Sequence, residues 1–203
     1  MQVEIIFSIA VLVMSVVIHE VAHGAVAGFL GDPTARLAGR LTLNPFKHLD
    51  WFGSVILPAG MALIGGPVFG WAKPVPYNPH NLHHKYGEAL VAAAGPASNI
   101  LIALFFSALI RLGVVTSYFA GAAELIVGII FINIVLAIFN LIPVPPLDGS
   151  KILFNLLPYR LRVIENWFYQ YQLLFLFAII FLAGSILGPI AMIIFRLFTG
   201  LSI

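Results

Sequence analysis

The chain has no cysteine and very little charge: 10 Lys+Arg and 8 Asp+Glu among 203 residues, or 9%. Soluble domains are about a quarter charged. Without cysteine there is no disulfide framework and no thiolate metal site. Any metal must be held by histidine and carboxylate, and no thiol can act as nucleophile. The hydrophobic fraction is 61% and the mean hydropathy is +1.05. Together these exclude an ordinary globular enzyme and a disordered chain. Basic clusters are also missing, which argues against a nucleic-acid partner. What remains is an integral membrane protein. The formal net charge of +2 adds little to this. The N-terminus lacks the basic start and the short apolar core of a signal peptide, so it is expected to stay as a transmembrane helix.

The first apolar run, residues 3–30, is long enough to cross a hydrocarbon core of roughly 30 Å. Gly31-Asp32-Pro33 ends it. Over residues 37–43 apolar and polar side chains alternate, which predicts a short strand or hairpin. Residues 53–70 are apolar but broken by Pro58, Gly60, Gly65, Gly66 and Pro67, as in a poor span or a re-entrant segment. Residues 71–79 carry three prolines and read as extended chain. A second helix is expected at 86–112, kinked or locally unwound at Gly95-Pro96, and a third at 122–142. Residues 148–166 are polar and partly amphipathic, and 167–201 form one bent helix or two shorter ones. The predicted fold is an all-α polytopic membrane protein. It has a bundle of about 4–6 transmembrane helices, a re-entrant segment and a short membrane-associated β hairpin. It reads as one domain over 1–203, with a catalytic core at about 3–160 and C-terminal helices at 167–201.

Charge placement sets the expected topology. Arg36, Arg40 and Lys47 follow the first helix, Lys73 and Lys85 precede the second, and Lys151, Arg160 and Arg162 follow the third. The positive-inside rule puts all three groups in the cytoplasm. Residues 53–70 must then leave and return on one side, and the N-terminus faces outward. Arg111 is a minor exception.

Ionisable residues inside a membrane helix are costly and therefore functional candidates. The first helix carries three in one turn, in His19-Glu20-Val21-Ala22-His23. In this H-E-x-x-H pattern the histidines at i and i+4 share a face and can reach one cation. Glu20, about 100° away around the helix, can reach water near the metal without ligating it. A catalytic zinc site takes three protein ligands and leaves a position open, so a third His, Asp or Glu is needed. Asp148, after the third helix, has compatible depth. Glu88 and Glu124 are poorer candidates by their positions.

These residues resemble the site-2 protease family of intramembrane zinc metalloproteases, in its compact prokaryotic branch without PDZ or CBS domains. The resemblance rests on three motifs in the family's order: His19-Glu20-Val21-Ala22-His23, Gly95-Pro96-Ala97-Ser98-Asn99, and Asn140 to Gly149 with its Leu147-Asp148-Gly149 end. The stretches Gly39-Arg40-Leu41-Thr42-Leu43-Asn44-Pro45 and Trp71-Ala72-Lys73-Pro74-Val75-Pro76 add to it, and the whole covers about residues 5–160. The resemblance implies one zinc ion bound by His19, His23 and Asp148, with Glu20 as the catalytic base. It also implies that Asn99 and Asn140 position substrate or stabilise the oxyanion. The implied substrates are transmembrane proteins, cut in a multi-pass cell-membrane enzyme whose active site lies toward the cytoplasm.

A strand near residues 35–43 would suit an unwound substrate by edge pairing. The alternative function is a divalent-metal transporter using the same cluster, although no paired half is evident. His80, His83 and His84 read as solvated loop residues. Gly24 and Gly28 read as a helix-packing pair, and the aromatics of 167–181 as an interfacial anchor.

Overall fold

The computed structural model describes residues 2–63, 65, 70–115, 120–158 and 162–201. Helix α1 (Gln2–Phe29) is followed by a single turn, α2 (Thr34–Leu37). Next come a π-helical segment (Trp51–Ile56) and α3 (Leu57–Leu63). The long helices α4 (Gly87–Arg111) and α5 (Ala123–Asn140) lead to α6 (Asp148–Leu156). Helices α7 (Arg162–Gln170) and α8 (Gln172–Thr199) end the chain. Among the described residues, α1 from Ile5, α4 and α5 are long and apolar enough to cross a membrane. The chain is a mostly helical membrane protein, as its composition requires.

The expected β hairpin is not there. Among the described residues there is no strand, and 34–37 make a helical turn. At its start local hydrogen bonding competes with extension: the Asp32 carboxylate accepts from the Thr34 amide at 3.2 Å and the Thr34 hydroxyl at 2.6 Å, an i to i+2 turn that leads into the helical turn 34–37. The alternation also fails to match burial. Leu37 is 81% exposed, whereas Ala35 and Arg40 are buried.

The residues at the two ends of the 53–70 segment meet at Trp71. The Trp71 amide donates to Gly53 O at 3.1 Å, and the Ser54 hydroxyl donates to Trp71 O at 2.8 Å. The two ends of the segment are therefore neighbours, while residues 64 and 66–69 lie outside the described residues. Helix α4 runs unbroken through Pro96, so the expected unwinding is not seen. Of the last region, residues 167–170 end α7 and Gln172–Thr199 form one 28-residue helix, α8.

The apolar core joins α4, α5 and α8 through Ala103, Ile130, Ile134, Ala191 and Phe195. Arg111 ties the end of α4 to the end of α8. Its Nε donates to Phe198 O at 2.6 Å and its Nη2 to Leu197 O at 2.5 Å. A cation on the last carbonyls of α8 complements that helix terminus. Gly24 does not pair helices. A Cβ there would stand 2.7 Å from Val75 Cγ1 and 2.8 Å from Leu41, so the glycine admits loop side chains, while Gly28 faces open space. The aromatics of α7 and early α8 pack on one another, with Phe168 and Phe175 stacked at 5.0 Å.

Candidate metal centre

The i, i+4 spacing on α1 stacks His19 and His23, whose ring centroids are 4.6 Å apart. Asp148, at the start of α6, reaches both: its Oδ2 is 3.1 Å from His19 Nε2 and 3.2 Å from His23 Nε2. One donor atom from each of the three lies within 4.8 Å of the others, and all three residues are buried. Glu88 and Glu124, the poorer third-ligand candidates, are not part of this group.

The far side of each ring is held. His23 Nδ1 is 2.6 Å from Val91 O. A carbonyl only accepts, so this nitrogen carries the proton and a neutral ring leaves the Nε2 lone pair facing Asp148. His19 Nδ1 is 2.7 Å from Asn99 Oδ1, which orients that ring in the same way. Acceptor atoms converging on one point repel unless a cation lies among them. Two imidazole nitrogens and one carboxylate oxygen suit zinc and leave a coordination position open. Gly95 completes the cradle from α4: a Cβ there would stand 2.4 Å from both Nε2 atoms.

Asn99, to which the resemblance gives a substrate or oxyanion role, is not among the residues that line the cavity beside the metal centre. It is fully buried, with its Oδ1 on His19 and its Nδ2 donating to Asn133 Oδ1 at 2.9 Å. Asn133 in turn donates to Ser15 Oγ at 3.0 Å. Both ends of the Asn99 amide are engaged, on His19 and on Asn133. Asn140 does line that space, with Nδ2 also donating to Leu136 O at 2.9 Å.

A cavity of about 140 Å³ is bounded by His19, Glu20, His23, Asn140 and Asp148, together with Val75, Tyr77 and Lys151. A second cavity of about 180 Å³ lies between α1, α5 and Trp71, and shares His19, Glu20 and Asn140 with the first. Glu20 Oε2 accepts from the Val75 amide at 2.7 Å. Burial, with the Glu88 and Asp148 charges, pushes the Tyr77 phenol up to about 12, so its hydroxyl stays protonated and can donate. The Lys151 ammonium sits 5.4 Å from the Tyr77 ring centroid. Sequence reasoning missed Val75, Tyr77 and Lys151 as cavity residues. The Trp71–Pro76 stretch and the i+3 spacing of Lys151 from Asp148 were the available signals.

Three of the six histidines, His80, His83 and His84, are exposed, as expected. His83 also packs over Gly31, where a Cβ would stand 2.4 Å from its ring.

Such a donor set beside an acidic residue, on apolar helices, defines a membrane metalloprotease class of site. The comparisons with known proteins agree. The Peptidase family M50 profile matches residues 113–184. A Bacillus subtilis protein named "Putative zinc metalloprotease YwhC" is 38% identical over 163 residues, 77% of this chain and 71% of that protein. Rip2 of Mycobacterium tuberculosis H37Rv is 29% identical over 194 residues, covering 94% of this chain and 72% of that one. MJ0611 of Methanocaldococcus jannaschii is 29% identical over 157 residues, 72% of each. No solved structure matches the chain. The chain belongs to Peptidase family M50, the site-2 protease family. That membership decides between hydrolase and transporter in favour of the hydrolase.

Proposed function

We propose that the chain is an intramembrane zinc metalloendopeptidase that hydrolyses peptide bonds in or near transmembrane segments of other membrane proteins, as a step of regulated proteolysis. The observation that carries this reading is the convergence of His19 Nε2, His23 Nε2 and Asp148 Oδ2 beside Glu20, with both histidines and Glu20 on a helix apolar enough to span a bilayer. The zinc named in its relatives would be held by His19, His23 and Asp148. When bound, zinc supplies Lewis acidity, acidifying water and polarising a carbonyl.

The chain's own groups do the rest. Glu20 takes the proton of the attacking water and delivers it to the leaving nitrogen as the C–N bond breaks. Asn99 and the Val91 carbonyl hold the imidazoles in one tautomer and orientation. Asn140 and the neutral Tyr77 hydroxyl are the cavity donors able to meet developing negative charge on the carbonyl oxygen. A helical peptide bond is shielded by its own hydrogen bonding, so the substrate unwinds before attack. The two cavities meeting at Glu20 support a route from the α1–α5 side to the reacting groups.

The paired ends of 53–70 support the re-entrant topology, with the basic loops and the site toward the cytoplasm in a multi-pass bundle of one domain. The test is Glu20→Gln beside the parent chain in detergent, scored for bound zinc and for cleavage of single-span peptides. Zinc in both and cleavage in the parent alone is the expected outcome. A parent chain that binds no zinc after loading, or a Glu20→Gln chain that still cuts, overturns the reading.

A further inference from the structure

We propose that Arg40 is a positioning residue for the reaction: it fixes the extended segment 73–75 so that the Val75 amide holds Glu20 in its working orientation. This rests on the reading of Glu20 as the base.

Arg40 is only 8% exposed. It lies beyond the end of α1, in the Gly39–Pro45 stretch that the metal centre leaves unused. Among the described residues it has no carboxylate partner, and its Nε is buried without a hydrogen bond. A buried guanidinium so poorly compensated is expensive. Its Nη2 donates instead to two successive main-chain carbonyls, Lys73 O at 2.7 Å and Pro74 O at 3.4 Å. The Lys73 amide is tied as well, to His48 O at 2.9 Å.

The next residue is Val75, whose amide donates to Glu20 Oε2 at 2.7 Å. Its side chain sits against Gly24, one helical turn beyond Glu20, where a Cβ would leave only 2.7 Å. Gly24 thus sets how close Val75 lies to α1, and Arg40 sets where along α1 the amide falls. One oxygen of Glu20 is held in this way. The other, Oε1, has no hydrogen-bond partner among the described residues and remains free to take a proton. The relay runs from the guanidinium through two peptide units to the carboxylate. A shift of about 1 Å in a group that must meet a reacting atom can lower the rate about a hundredfold.

A residue that only ties two loops together would change stability without these kinetic signatures. The experiment measures kcat, KM, bound metal and melting midpoint for cleavage of one single-span peptide. The variants are Arg40→Met, Arg40→Lys, Val75→Pro (which removes the amide hydrogen) and the Arg40→Met/Val75→Pro double. The expected result for Arg40→Met is a kcat lower by about ten- to a hundredfold, with KM within about twofold and metal retained. Arg40→Lys, which keeps a cationic donor, recovers part of the loss. The double variant turns over no more slowly than Val75→Pro alone, because both changes break one relay. An Arg40→Met chain with the parent's kcat, losses that multiply in the double, or metal lost on the Arg40→Met change would each overturn the inference. Glu20→Gln separates the two readings. If it still cuts, the base assignment fails. If it is inactive while Arg40→Met and Val75→Pro keep the parent's kcat, only the relay fails.

Discussion

Helix α4 packs two unlike surfaces against its neighbours. Around Ala103 it meets Ile130, Ile134, Ala191 and Phe195, none more than 1% exposed, with no polar atom to satisfy. One turn earlier, Asn99 is just as buried, yet its side chain makes directional hydrogen bonds to His19, Asn133 and Ser15. The first surface holds by shape, because lipid tails are as apolar as leucine and only close packing favours helix association. The second holds by hydrogen bonds whose loss would strand a buried partner. Shape tolerates small changes of volume. Removing one member of a chain of satisfied polar groups leaves its buried partner unpaired, and the His19–Asn99 hydrogen bond ties the candidate metal centre to that second surface.

The sharpest way to break this contrast is Gly95→Ala. Its methyl would meet both Nε2 atoms at 2.4 Å, and the rings cannot retreat because their Nδ1 atoms are held. Metal affinity should fall by more than the roughly 10–100-fold that outer-shell changes cost, read as metal content after dialysis, and cleavage should vanish with it. Asn99→Ala comes next. It frees the His19 ring without touching the donor atoms, so competition with a chelator should show affinity weakened about 10–100-fold in a chain that still folds.

Asp32 extends the polar principle beyond the helix end. Its buried carboxylate accepts from Thr34, from the Asn78 amide at 2.7 Å and from Asn81 Nδ2 at 2.8 Å. Burial alone would raise its pKa; these hydrogen bonds outweigh burial and hold the group below its ordinary value. A depressed carboxylate stabilises the fold above its unfolded pKa, and that contribution disappears as pH falls through the folded pKa. Asp32→Asn should therefore cost about 1–2 kcal/mol near pH 7. The gap to the parent should close as the pH drops below about 4, measured by thermal unfolding across pH. Ile134→Val marks the forgiving end: about 1 kcal/mol of stability, with metal affinity and kcat unchanged in the same assays.

Much of the site was legible because its chemistry is local. His19 and His23 lie one helical turn apart, and a turn is a property of sequence. Asp148 could be inferred because a catalytic ion needs a third ligand and few candidates had compatible depth. Asn99 was visible as a residue but not in its role, since which neighbour an amide meets depends on the register between α1, α4 and α5. The hairpin over 37–43 was misread because period-2 alternation says nothing about Asp32, whose carboxylate starts a helical turn instead. Val75 was unreadable for a related reason: it acts through its amide, which every residue but proline carries.

By itself, then, the sequence determined that this chain lives in a membrane, where its long helices run, and that one of them carries two histidines and a glutamate in one turn, spaced as metal ligands are. Composition and helical periodicity are summed or short-range quantities, insensitive to how distant segments meet. Only the tertiary structure decided that Gly95 clears the space for two imidazoles, that Asn99 stands behind His19, and that Arg40 reaches the segment holding Glu20. Those are contacts between residues far apart in the chain, set by helix packing and by the need of each buried polar group for a partner.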